Sequence, residues 1–491
     1  DGITPLYLAC CKGHDNIVQI LLDHGVQVDV QDKDGNTPLY IACYKGHDKV
    51  VQILLDHGVQ VDVQNKDSNT PLFIACYKGH DKVVQVLLDH GVQVDVQNKD
   101  GKTPLYVASQ FGYSEIVEVL LKANAKTDLT KKDGNTPLFI ACYKGHDKVV
   151  QVLLDHGVQV DDGNTPLFIA CYKGHDNIVQ VLLDHGVQVD VQNKDGNTPL
   201  FIACYKGHDK VVQVLLDHGV QVDVQNKDGN TPLFIACYKG HDKVVQVLLD
   251  HGVQVDVQNK DGNTPLFIAC YKGHDKVVQV LLDHGVQVDV QDKDGITPLY
   301  LACYKGHDKL VQTLLDHGVQ VDVQDKDGET PLYIACYKGH NKVVEILLDH
   351  GVQVDVQDKN GHTPLYVASH EGNSEIVEIL LKANARTDLT NKDGITPLYI
   401  ACYKGHDKVV QILLDHGVQV DVQDKDGETP LYIACYKGHD KFVQILLDHG
   451  VQVDVQDKDG HTPLYVASHE GYSEIVEVLV KANARTDLTN K

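Results

Sequence analysis

The tripeptide Thr-Pro-Leu returns fifteen times along the 491-residue chain, at Thr4, Thr37, Thr70, Thr103, Thr136, Thr165, Thr198, Thr231, Thr264, Thr297, Thr330, Thr363, Thr396, Thr429 and Thr462. The interval is 33 residues throughout, except for 29 between Thr136 and Thr165. All fifteen prolines of the chain lie in these tripeptides. At this period, length says nothing about the number of globular domains. Each unit is one small supersecondary piece whose apolar faces are buried only when neighbours stack on it. The copies are numbered 1 to 15 from the N-terminus.

The copy from Asp34 to Lys66 shows the internal logic. Thr37 is an N-cap residue, and Pro38 suits the first helical position, where a missing N–H costs nothing. Leu39, Ala42 and Cys43 follow at helical spacing, with two small residues that let another helix approach closely. Gly46 ends this short helix in the left-handed conformation. Asp48 is expected to cap a second helix, Lys49 to His57, whose Val50, Val51, Ile53, Leu54 and Leu55 cover more than one face. Gly58 stops it, and residues 59–64 switch to a period of two, the mark of an extended segment. Asp67-Ser68, Asp-Gly in nearly every other copy, makes the turn of a hairpin-like loop. If Ser68 keeps the left-handed turn geometry, the lost glycine costs about 1 kcal/mol.

Asp-Gly-x-Thr-Pro-Leu, Ala-Cys-x-x-Gly-His, Val-Val-x-x-Leu-Leu and a terminal Gly together resemble the ankyrin repeat, across the whole chain. The resemblance implies an all-α fold, an α-solenoid of helix-turn-helix units with hairpin-like loops, continuous over 1–491. There are departures. Tyr40 and Phe73 stand where the family usually has His, which is expected to remove a loop hydrogen bond. Asp62 stands in place of the usual Asn, and Cys in place of the second helix-1 Ala. Copies 4, 12 and 15 differ together: Ser114, Ser374 and Ser473 take the Asp48 position, and Asn124, Asn384 and Asn483 replace the stop glycine. Asn is the next-best left-handed residue, so these are variants rather than decayed copies. Residues 296–394 and 395–491 match as a three-copy block, which implies growth by duplication. Four loop residues are missing between Val160 and Asp162, and an irregular junction is expected near 160–163.

The chain has no methionine, opens at Asp1 within a copy, closes at Lys491 where another copy would begin, and shows no polar capping copy. It is read as a fragment of a longer protein. The formal charge of −25 is spread evenly over the copies, which keeps an elongated array soluble and disfavours nucleic acid or an anionic membrane as partner. No apolar run approaches the ~18 residues of a membrane span. Of the 13 cysteines, all but Cys11 occupy one equivalent position per copy. Helices stacked ~8–10 Å apart place such thiols beyond disulfide reach. Free thiols point to a reducing, intracellular compartment, the cytoplasm.

Cys43 and His47, recurring in Cys-Tyr-Lys-Gly-His, would be half a zinc site or a nucleophile pair. Ser replaces the Cys in three copies and no copy supplies a second thiol at zinc spacing, so the structural reading is preferred. His57, at the end of the second helix, suits the helix dipole. No catalytic residue, metal ligand or cofactor is assigned. Catalysis needs one convergent pocket with distinct roles, and here every residue appears in a row. What remains is surface. In proteins of the family, partners are held by loop tips and the exposed end of the first helix, on the concave side. Carried onto this chain, those positions are Asn36, Tyr44 and Lys45; Asn69, Tyr77 and Lys78; Asn135, Tyr143 and Lys144; Tyr172 and Lys173; Tyr205 and Lys206; Asn230, Tyr238 and Lys239; and Tyr271 and Lys272. A Tyr-Lys ladder of this kind is expected to bind other proteins, extended or multivalent ones, as a scaffold or adaptor. The alternatives are a regulatory or docking arm of a larger enzyme or channel, and a recently duplicated array without a selected partner.

Overall fold

A computed structural model describes residues 2–159 and 166–489; the irregular junction expected near 160–163 lies outside the described residues. Among the described residues there are thirty helices and no strand. They come in pairs, an eight-residue first helix such as Pro38–Lys45 and a nine-residue second helix such as Asp48–Asp56. The chain forms two units, residues 1–227 with 250–253, and residues 228–249 with 254–491. Each is built in the same way. In the first, the helix Pro38–Lys45 packs on Pro71–Lys78, and Asp48–Asp56 on Asp81–Asp89. In the second, Pro298–Lys305 packs on Pro331–Lys338, and Asp308–Asp316 on Asn341–Asp349.

An eight-residue helix is too short to hold in water, so its ends must be fixed. Thr37 Oγ1 accepts the Tyr40 backbone N–H at 3.1 Å, Pro38 takes the first helical position, and Gly46 closes the helix at φ +80°. The threonine is 1% exposed, so this cap is also part of the core. Leu39, Ala42, Cys43, Val50, Val51 and Leu54 are at most 1% exposed. Fully burying one such large aliphatic side chain is worth about 1.5–3 kcal/mol. The second helix begins one residue earlier than expected, at Asp48, with His47 at the N-cap and no side-chain cap bond. The reason is the sharp Gly-His turn: His47 N–H bonds Ala42 O at 3.1 Å, which brings Asp48 into the first helical turn. Its carboxylate then acts on the helix dipole instead of capping.

The loop reads as expected in its geometry but forms no β-ladder. Asn65 N–H bonds Asn69 O at 3.0 Å across the turn, and Lys66 N–H reaches back to Asp34 O of the preceding turn at 2.8 Å. That single backbone bond between successive tips is too little for a strand pair. Ser68 does take the left-handed conformation, φ +61°, and so do Asn124, Asn384 and Asn483 at φ +58°, +62° and +66°.

Candidate functional site

The Gly-His element is structural and joins one copy to the next. His80 Nε2–H donates to Tyr44 O at 3.1 Å, and His340 Nε2–H to Tyr304 O at 3.2 Å. The ring lies against the preceding copy's glycine so closely that a Cβ at Gly46 would stand 2.7 Å from it. The equivalent thiols are buried. Burial pushes Cys10 up to about 12 and likewise raises Cys43 and Cys76. Thiols that hold their protons so tightly are neither nucleophiles nor ready metal ligands at neutral pH. His57 lies just past the last helical residue, where Nδ1–H donates to Ile53 O at 2.8 Å.

One group of three potential metal ligands occurs among the described residues, Asp457, Asp459 and His461. Its central carboxylate is occupied. Asp457 Oδ1 accepts the backbone N–H groups of Asp459 and His461 at 2.9 and 2.7 Å, and Oδ2 accepts from the Tyr432 hydroxyl and His461 Nδ1 at 3.1 Å each. This is a turn held shut by an aspartate.

The tip asparagines face along the array. Asn65 Nδ2 donates to Asn36 Oδ1 at 3.0 Å, Asn98 to Asn69 at 3.1 Å, and Asn259 to Asn230 at 3.1 Å. Asn36, Asn69, Asn135 and Asn230 are half-buried, and the amide oxygens of Asn36, Asn69 and Asn230 are taken by a neighbouring turn. The tyrosine after Thr-Pro-Leu also bonds onward. The Tyr300 hydroxyl donates to Glu329 at 2.9 Å, Tyr399 to Glu428 at 2.8 Å and Tyr7 to Asp32 at 2.8 Å. The expectation of a lost loop bond is therefore corrected for these tyrosine copies: the longer phenol reaches the next turn. Burial, chiefly, pushes Tyr40 up to about 12, and burial likewise raises Glu329 above the usual carboxylate range.

The Tyr-Lys positions form the ordered outer feature, and their order runs between copies. Lys78 Nζ lies 4.5 Å from the ring centre of Tyr44, Lys173 4.1 Å from Tyr143, and Lys206 4.0 Å from Tyr172. In the second unit Lys272 lies 4.5 Å from Tyr238, Lys305 4.3 Å from Tyr271, and Lys338 4.7 Å from Tyr304. Lys45, Lys144 and Lys239 sit over their own rings, Tyr44, Tyr143 and Tyr238, at 5.3, 5.6 and 5.3 Å. The ammonium groups of Lys78, Lys173, Lys206, Lys272, Lys305 and Lys338 each lie over two successive rings, an attraction worth about 0.5–1 kcal/mol at an exposed site. The Lys206 ammonium beside Tyr172 holds that phenol below its ordinary range. Tyr77, Tyr143, Tyr172, Tyr205 and Tyr271 remain 36–44% exposed. The stripe is interrupted where the variant copies carry Gln110-Phe111, His370-Glu371 and His469-Glu470.

Sequence reasoning singled out the Tyr-Lys residues as candidates and missed that lysine and tyrosine of successive copies engage each other. It also missed the bonds between tips. A signal for the latter was present: both glutamate tips, Glu329 and Glu428, follow a copy with Tyr, not Phe, after Thr-Pro-Leu.

A family model described as ankyrin repeats (3 copies) matches residues 1–65, 57–133, 123–193, 185–259, 251–325, 318–391, 351–424 and 398–490. No curated protein matches the chain. No helix among the described residues is long and apolar enough to cross a membrane.

Proposed function

The chain belongs to the ankyrin repeat family, whose repeats are protein-protein interaction modules, and on that premise we propose that it is a non-enzymatic scaffold or adaptor. It holds an extended or repeated protein segment along the Tyr-Lys stripes. The observation that carries this reading is the order of the stripe. Lysines already seated between tyrosine rings lose little freedom when a partner arrives, so each rung binds at low entropic cost. Rungs ~8–10 Å apart match every third residue of an extended chain rising ~3.3 Å per residue. Rungs of one kind supply many weak equivalent contacts, which suits multivalent capture and not catalysis. Twelve buried thiols suit a reducing compartment, and the cytoplasm is proposed on that ground.

The test selects displayed 16-residue peptides on the intact chain and follows their affinity through Tyr271→Ala, then added Tyr304→Ala, then added Tyr337→Ala. Each lost ring is expected to weaken stripe-bound peptides about threefold to tenfold, by analogy with exposed aromatic contacts. Affinity unchanged through all three substitutions refutes the stripe.

A further inference from the structure

Where two ordinary copies meet, the ends of their second helices present a histidine ring that is tied on one side and bare on the other. His90 Nδ1 lies 2.8 Å from Val86 O, and His350 Nδ1 2.8 Å from Ile346 O. A backbone carbonyl only accepts, so Nδ1 carries the hydrogen and the neutral ring keeps its lone pair on Nε2. That nitrogen stands beside the aspartate that ends the preceding copy's second helix. Asp56 Oδ1 is 3.5 Å from His90 Nε2, Asp155 Oδ1 3.1 Å from His185 Nε2, and Asp316 Oδ1 3.9 Å from His350 Nε2. The three histidine side chains are 26–31% exposed and the aspartates 55–59%, so solvent reaches both donors.

This is the chemistry of a metal-binding pair. An imidazole whose Nδ1–H is fixed on a carbonyl is oriented, and its tautomer set, as metal-bound histidines are. Two donors held 2.0–2.1 Å from a tetrahedral zinc ion stand about 3.3–3.4 Å apart, and the observed separations bracket that value. The exposed side chains close the remaining difference by small rotations. A glutamine lies across each gap: Gln312 Nε2 donates to Asp316 Oδ1 at 2.8 Å and to His350 Nε2 at 3.2 Å. With its amide turned over, the oxygen takes the place of the nitrogen and faces the same point. The variant copies break the series. Ala383 takes the place of the histidine in the copy after Asp349, and Lys382 takes the place of the aspartate in the copy before His416.

We propose that these seams bind a borderline transition-metal dication, Zn2+ in the first instance, through histidine Nε2 and the Oδ1 of the preceding copy's aspartate. The mixed nitrogen and oxygen donors suit zinc, whereas magnesium gains nothing from an imidazole. Water completes the coordination, so each site is weak and open. Because the two donors belong to different copies, a bound ion staples one second helix to the next. The loop tips and first helices take no part, so the proposal stands apart from the Tyr-Lys stripe.

The test titrates the intact chain with zinc at pH 7.5 by calorimetry, then follows peptide-resolved hydrogen exchange at the measured affinity. With free zinc at ten times the dissociation constant, opening that must release an ion becomes about tenfold rarer. Residues 341–349 and 176–184 should therefore exchange more slowly, and residues 374–382, at a seam that offers Ala383, should not. Asp316→Asn, an isosteric change at an exposed side chain, should abolish the slowing at 341–349 and leave it at 176–184. Asp349→Asn, at the same helical position beside the alanine seam, should leave both. The proposal is overturned if no saturable binding occurs, if binding slows no segment, or if 374–382 slows equally. Slowing at 341–349 that survives Asp316→Asn, or that magnesium reproduces at the same concentration, overturns it in favour of zinc on scattered histidines or of the general acidic field.

Discussion

Two glycines of copy 10 share one backbone conformation and differ in surroundings, which isolates the strength of the contact between copies. Gly306 and Gly318 lie at φ +73° and +76°. Replacing either with Ala incurs the left-handed penalty, about 1 kcal/mol after the gain from a stiffer unfolded chain. At Gly318 a Cβ meets nothing within 4 Å, so that is the whole cost. At Gly306 the Cβ would lie 2.6 Å from His340 Nδ1 and 2.7 Å from Cε1. The ring cannot swing away without breaking the Nε2–H bond to Tyr304 O, 3.2 Å, worth about 1 kcal/mol, and opening the packed seam adds more. The expected totals are ~1 kcal/mol for Gly318→Ala and ~2–3 kcal/mol for Gly306→Ala, or about fivefold against roughly 30- to 150-fold in local opening. Because a long array need not unfold in one step, the assay is peptide-resolved hydrogen exchange on the intact chain. Copy 10 and its neighbour allow it, since Leu310 and Thr313 mark residues 308–316, and Asn341 and Glu345 mark 341–349. Gly306→Ala should deprotect 341–349 in the following copy, and Gly318→Ala should not. Equal effects of the two substitutions on 341–349 would refute the view that the glycine-histidine contact couples the copies.

Two further outcomes follow from burial and charge. A maleimide at pH 7.5 should label one thiol of the native chain rapidly, Cys11, and all 13 in guanidinium, because the other twelve are buried and hold their protons well above neutral pH where burial raises them; rapid labelling of three or more, counted by intact mass, contradicts the packing. Two histidines should respond to acid with opposite signs. The Val181 carbonyl and Asp155, 3.1 Å away, raise His185, so its contribution is complete below the unfolded value of ~6.5 and is lost as pH climbs through the folded value. Burial beside Phe442, at 5.0 Å, lowers His439, so its contribution is complete above ~6.5 and is lost as pH falls through the folded value. Between pH 7.5 and 5.5, residues 176–184 should gain exchange protection and 440–448 should lose it, by a few-fold at exposed-pair strengths of ~0.2–1 kcal/mol; a change of the same sign in both segments refutes the assignment.

What the sequence made legible was local. Thr37, Pro38 and Gly46 fix a helix through bonds within four residues, and Asn124 or Ser68 reveals left-handed backbone by its own chemistry. The start of the second helix was misplaced by one residue because its cap is decided by a bond from His47 to Ala42, a feature of turn geometry with no preferred residue at the cap. The onward bonds were illegible for a different reason. Asn65 to Asn36 spans 29 residues, His80 to Tyr44 spans 36, and Tyr7 to Asp32 spans 25, and none of these intervals is the repeat of 33. A period identifies equivalent positions; contacts across a seam join non-equivalent ones.

That distinction bears on recognition. Along three like rungs, Tyr271, Tyr304 and Tyr337, a partner with evenly spaced contacts is held almost equally well after sliding by one copy. Such a stripe supplies avidity without register. Register requires a feature that does not repeat, and in the first unit Ser68, Lys102, Gln110 and Phe111 are among the residues with no like counterpart in another copy. The following rungs of that unit, Tyr143, Tyr172 and Tyr205, then lie at a fixed number of copies from Phe111. A bound segment that uses both should therefore lose affinity in steps when the rings are removed and lose its alignment when Phe111 becomes Lys. Crosslinks from a photoreactive residue on the segment would report this as one labelled copy giving way to several.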